Sequence, residues 1–358
     1  MLKIKSIRDL GPQFVKNDHK MVGQDGSYSI PLNGKCLWFF GDTLIGKRIP
    51  GESLWYPGGE KIGPESMAGT GGIEQMLTNT GLLISNNNAE NGLHEFEYIR
   101  EPDGSLKQLI PLKPDENPDE FRIWCLHGIK LKEKLYLFYQ KIEMLGEGDI
   151  LPVNFKILGS GLSVGSDKDW NFNRLTKNGS DLIWREREPQ FASAVFHSLK
   201  DDFIYLYGVI ANEAGVQQCY ICRVNPNDFE NFNSYEYLVD ENNVWDKDLK
   251  KAIPIFTGMP NELSVSYNNY LGKYLSVHSL DLTGKIVART ADNPWGPWSH
   301  PITIKQIKVK RKLDLKYPTL IYAAKEHPYL SKNDGKKIYI TYIEFEEYFP
   351  HLLEVEFE

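Results

Sequence analysis

The sequence predicts an all-β fold, a five-bladed β-propeller that takes up residues 1–358 as a single domain, and three observations carry the prediction. One strand pattern recurs as CLWFFGDT (36–43), KLYLFYQK (134–141), FIYLYGVI (203–210), KYLSVHSL (273–280) and KIYITYIE (337–344). Aligning Trp38, Tyr136, Tyr205, Tyr274 and Tyr339 spaces the copies 98, 69, 69 and 65 residues apart, close to the length of a four-stranded blade with its loops. Finally, 19 Tyr, 17 Phe and 8 Trp favour strands over helices and supply a sizeable core.

The first interval is too long for one blade. Its surplus falls in residues 46–76, rich in Gly and Pro and without a strand or helix period, so a long loop insertion is expected there. No Pro/Ser linker or charge block divides the chain.

The N-terminus MLKIKSIRDLGPQF lacks the apolar stretch of a signal peptide, and no 18-residue apolar run predicts a membrane span. Localisation stays open between the cytoplasm and secretion in a mature form. A net charge of −7 argues against a nucleic-acid or anionic-lipid surface. The one basic run, KQIKVKRK (305–312), alternates its charges and reads as a solvated edge strand. Cys219 and Cys222 lie three apart in a strand pattern, which puts the thiols on opposite faces and argues against a disulfide or a shared metal.

The sharpest local signal is the segment from Asp25 to Asp42. Asn33-Gly34 between two strand patterns predicts a two-residue hairpin turn. Opposed residue numbers then add up to 67, which sets Asp25 across from Asp42. Like charges placed in this way are destabilising, and two close carboxyls raise each other's proton affinity, as glycosidic acid/base chemistry requires. The alternative is that both acids cap turns, Asp25 ahead of Gly26 and Asp42 ahead of Thr43.

The equivalent depth in the fourth repeat holds Glu262, with Asp281 as its expected cross-strand partner. In the second repeat it holds Arg122, Trp124 and His127, and in the third Glu186, Glu188 and Gln190. Pro189 fixes Glu188 in an extended state, and a surface ion pair with Arg185 or Arg187 is the competing role for both glutamates. Histidines are scattered, without a zinc signature, so His127 and His278 read as hydrogen-bonded structural residues before metal ligands. No nucleotide-binding loop or serine-hydrolase elbow occurs. No cofactor is expected, although a structural calcium ion in the channel stays open.

Sugars stack on aromatic faces while their hydroxyls need carboxylates, amides and arginine. Trp55 and Tyr56 in the long loop, Trp124 and Trp184 are candidate platforms, whereas Trp38 reads as core, Trp170 as a surface turn, and Trp295 and Trp298 as turn-shaping residues.

In GQDGSYSIPLNGKCLWFFGDT (23–43), ELSVSYNNYLGKYLSVHS (262–279) and VARTADNPWGPWS (287–299), the chain resembles the propeller family catalogued as domain of unknown function 4185. That resemblance implies kinship with five-bladed glycoside hydrolases, including endo-acting arabinanases with paired aspartates in the first blade. It therefore implies Asp25 and Asp42 as the catalytic pair and Arg289 as a conformational or substrate-contacting residue. Arabinanase-type propellers carry an acid at the head of blades one, two and three, but here the second blade offers Trp124 and His127. The expectation is a monomeric glycosidase acting on a polysaccharide or oligosaccharide, with Glu188, Glu262, Trp124, His127, Arg289, Trp55 and Tyr56 on the substrate side. A carbohydrate-binding propeller without catalysis and a protein-interaction scaffold are the alternatives.

Overall fold

The apolar alternation of this chain builds strands. The computed structural model describes residues 2–49, 52–55, 72–146, 154–308 and 320–358. The described residues contain no α-helix, only short 3-10 turns such as Pro226–Asp228. Among the described residues, no helix is long and apolar enough to cross a membrane.

Each recurrent segment forms the second strand of its own antiparallel sheet. The first sheet runs Tyr28–Pro31, Cys36–Phe40, Thr80–Ile84, Phe96–Tyr98. The second begins Phe121–Leu131, Lys134–Gly146, Asn154–Gly165, and the third Gln190–His197, Ile204–Ala211, Gln217–Val224. The fourth runs Leu263–Asn268, Lys273–Leu280, Lys285–Ala291, Ile302–Gln306. The fifth runs Ile321–Glu326, Lys337–Glu344, Pro350–Phe357 and takes Ile4–Pro12 as its outer strand.

A small sheet of Met21–Gln24, Thr43–Gly46 and Ile73–Leu77 prolongs the first sheet. Gln24 opposes Thr43 and Tyr28 opposes Phe39 in one hairpin register, and Thr43–Leu77 and Phe40–Thr80 likewise share a register. Between the Gln24–Thr43 and Tyr28–Phe39 rungs the ladder is interrupted, and Asp25 and Asp42 lie in that gap. The insertion expected at 46–76 is therefore shorter, since Gly46 and Ile73–Met76 are strand; residues 50–51 and 56–71, with Tyr56, fall outside the described residues.

Period-two alternation gives each middle strand two apolar faces. Leu37 and Phe39 pack towards the second sheet with Leu135, Leu137 and Tyr139, while Trp38 and Phe40 pack towards the fifth with Tyr339 and Leu352. Comparable cores lie between the second and third sheets, the third and fourth and the fourth and fifth. Burying each large apolar side chain contributes about 1.5–3 kcal/mol, so stability resides between sheets. Cys219 and Cys222 enter different cores from opposite faces of one strand, and all four cysteines are free and buried.

Lys305 sits on the edge strand Ile302–Gln306 and pairs with Asp9 at 2.8 Å. The rest of the basic run, from residue 309, lies outside the described residues.

Candidate functional site

The site starts from a turn. Gly34 adopts φ +72°, a left-handed conformation that glycine reaches without steric cost, and the Leu32 amide donates to the Lys35 carbonyl across the loop. Ile30 then opposes Leu37 and Pro31 opposes Cys36. At the interruption the Asp25 amide donates to the Asp42 carbonyl at 2.8 Å, and the Gly41 amide to the Asp25 carbonyl at 2.9 Å. The two acids thus leave one short stretch of backbone.

Their side-chain environments differ. Asp25 Oδ1 accepts from the Gly26 amide at 2.6 Å and the Tyr322 hydroxyl at 2.8 Å, and Oδ2 accepts from the Tyr348 hydroxyl at 3.1 Å. Asp25 keeps some contact with solvent, yet the surrounding protein still desolvates it. Burial therefore raises its pKa, opposed by these three donors and by the charge of Lys325. Asp42 is buried and its Oδ1 has no hydrogen-bond partner. Burial, with the Asp25 charge adding to it, pushes its pKa up to about 7 against the Arg122 guanidinium and the Trp124 indole N–H. Trp124 Nε1 lies near enough to favour that carboxylate but completes no hydrogen bond.

A third acid and a buried cation join the pair. Burial raises the pKa of Glu262, and Lys325 counters that rise while Asp25 adds to it. Lys325 is itself 2% exposed, has no acceptor for Nζ, and lies 4.2 Å from the centroid of the Tyr28 ring. Cys125 Sγ belongs to the same cluster, where burial raises its pKa well above the usual range and keeps it a thiol. Glu262 does not face Asp281: Leu263 opposes His278, which puts Ser279 across from Glu262, and Asp281 turns away with φ +45°.

Several other candidates have their polar groups occupied by protein. His127 Nδ1 accepts from the Val195 amide at 2.9 Å and Nε2 contacts the Ser29 carbonyl at 3.2 Å, so this histidine ties the inner strands of the first three sheets together. Burial holds its pKa down at about 4, in the neutral form. Arg289 donates to His278 Nε2, the Ser299 carbonyl and the Thr257 carbonyl, and lies 4.8 Å from the Phe256 ring centroid. It clamps the fourth sheet to the Phe256–Thr257 strand of the third.

Glu188 accepts from the Arg185 amide at 2.7 Å in the turn before the third sheet, and Glu186 pairs with Lys156. Trp55 is 3% exposed, donates to the Phe345 carbonyl, stacks on Phe345 at 5.1 Å and meets the Tyr348 ring edge-on at 4.7 Å. Neither Trp55 nor the equally buried Trp184, whose indole donates to the Tyr237 hydroxyl, offers an open stacking face. Trp124 remains partly exposed, edge-on to Phe155.

Sequence reasoning missed Tyr28, Cys125, Tyr322, Lys325 and Tyr348. One signal was present: a lysine inside the largely apolar strand pattern IYAAKE (321–326).

A model of the family described as domain of unknown function (DUF4185) matches residues 15–354, and the chain belongs to that family. No curated protein matches it. Among solved structures it is similar to a candidate hydrolase from Bacteroides ovatus ATCC 8483, at 14% identity and a TM-score of 0.65 over 96% of this chain and 87% of that one. It is also similar to the α-L-arabinofuranosidase PaAbf62A of Podospora anserina, solved with cellotriose, at 13% identity and a TM-score of 0.50 over 100% and 97% of the two chains. A xylan β-1,4-xylosidase from Bacillus halodurans C-125 matches at 10% identity and a TM-score of 0.50, over 94% of this chain and 53% of that one. At such identities the likeness is one of fold.

Proposed function

We propose that this chain is a glycoside hydrolase, a closed five-bladed propeller whose inner strands bring Asp25, Asp42 and Glu262 to one cleft. The cyclic series of cores between its sheets supports the ring, and the fold it shares with an arabinofuranosidase and a xylosidase supports the activity class. An endo-acting attack on arabinan is the substrate reading that the family resemblance favours.

One observation carries the mechanism: two adjacent carboxyls with opposite environments. Asp42, buried and without a partner on Oδ1, carries a proton near neutrality and donates it to the leaving oxygen. Asp25, held by three donors, is the carboxylate that meets the anomeric carbon. Direct opposition across a hairpin sets the two Cβ atoms about 4.5–5.5 Å apart, which suits the short carboxyl separation of a retaining enzyme, about 5–5.5 Å. The unpartnered Trp124 N–H and Tyr28 hydroxyl are donors that sugar oxygens could satisfy.

The deciding experiment is product release from a polysaccharide panel that includes D- and L-arabinans, by wild type beside Asp25→Asn and Asp42→Asn. Cleavage by wild type alone is the expected result. Binding without cleavage by all three proteins would instead identify a carbohydrate-binding module.

A further inference from the structure

Lys325 is an expensive residue to keep. Its Nζ is sealed from solvent and has no hydrogen-bond acceptor, and a buried ammonium is tolerated only where compensating charge surrounds it. The Tyr28 ring face supplies part of that compensation at 4.2 Å. Burial lowers the Lys325 pKa, and the charges of Glu262 and Asp25 oppose that fall, with Cys125 beside them as a thiol. His127 and His327 also adjoin it, but desolvation holds both in the neutral form. His327 is bonded to the Ser29 and Thr341 hydroxyls, and His127 contacts the Val195 and Ser29 backbone. Neither histidine competes as a cation. Arg122, by contrast, acts on Asp42.

We propose that Lys325, sealed under the Tyr28 ring, is the resident cation of this site, a positioning residue whose charge offsets the burial of Asp25 and Glu262 and favours their carboxylate forms. It acts through those acids rather than on the substrate. This deepens the hydrolase reading and rests on it for its catalytic meaning, yet its first test needs no substrate.

That test is the melting temperature of wild type, Lys325→Met and Lys325→Arg at pH 4.5 and pH 8. When Asp25 and Glu262 are protonated, the wild-type ammonium is stranded, so K325M should melt above wild type at pH 4.5. When they are ionised, methionine strands two carboxylates, so K325M should melt below wild type at pH 8. K325R keeps the charge and should depart from wild type in the same direction at both pH values. A K325M offset equal at both pH values would reduce Lys325 to packing and overturn the proposal. If K325M does not fold at pH 8, the double variant Glu262→Gln/Lys325→Met separates the two causes: recovery of folding supports the charge role, and continued failure overturns it.

With a cleavable glycan in hand, the acidic limb of the kcat/KM profile should move up by about one pH unit in K325M and return in K325R. Absence of cleavage of any glycan would remove the hydrolase reading while the melting result stood by itself.

Discussion

The amide of Asp25 donates to the carbonyl of Asp42 at 2.8 Å, so the two acids share one rung of backbone while their carboxyls experience different surroundings. Asp25 receives two tyrosine hydroxyls and an amide. Asp42 Oδ1 receives nothing. Repulsion between like charges across the hairpin is relieved when one of them carries a proton, and the hydrogen bonds favour Asp42 as the protonated partner.

Asp42→Asn should raise stability at pH 8. The folded pKa of Asp42, about 7, stands above the ordinary aspartate value. Its contribution to stability is therefore full below about pH 4 and lost as pH rises through about 7. The loss has an upper bound of about 4 kcal/mol. Melting curves from pH 4 to 8 should show a fall in wild type that is reduced in D42N.

Asp25→Asn should behave differently. An amide oxygen can accept from only part of the set that the carboxylate satisfies, so either Tyr322 or Tyr348 loses its acceptor. The cost is about 1–3 kcal/mol. D25N should melt lower than D42N at pH 8, and equal or reversed stabilities would remove the assignment of the ionised role to Asp25.

Turnover should fall above about pH 7, because the acid that protonates the leaving oxygen is Asp42. The product should form with the anomeric configuration of the substrate, read by NMR before mutarotation. Inversion would rule out Asp25 as nucleophile.

Trp55→Ala should destabilise the fold by about 3–5 kcal/mol, as expected for a buried tryptophan, and should lower kcat by loosening Tyr348 against Asp25. A sugar platform would instead raise KM with stability unchanged. Tyr348→Phe isolates the second step: it should cost about 1 kcal/mol and move the acidic limb of activity upward, since Asp25 loses a donor to its charged form.

Arg289→Met should destabilise by about 3 kcal/mol or more, because three acceptors lose their donor in a buried setting. In the folded fraction KM should stay at the wild-type value. A raised KM would return Arg289 to the substrate side.

Much of the architecture was legible because it is local. The recurring aromatic segments mark the second strand of each of the five larger sheets, and the Asn33-Gly34 turn sets a register that holds from Pro31–Cys36 out to Gln24–Thr43. Misreadings arose where burial decides. Trp55 and Trp184 look like exposed platforms in sequence, but each finds both an aromatic neighbour and a hydrogen-bond partner inside the protein. Asp281 falls beyond the strand register that would have faced it to Glu262.

By itself, then, the sequence determined the all-β class, the repeat and the hairpin register on either side of Asp25 and Asp42, because turn chemistry and period-two patterning act over a few residues. Only the tertiary structure decided which acid is held and which is left to take a proton. Tyr322 and Tyr348 reach Asp25 from 297 and 323 residues away, and the charge of Lys325 joins them from the same sheet. A proton equilibrium depends on burial, donors and charges within a few ångströms, and this chain assembles those from its two ends.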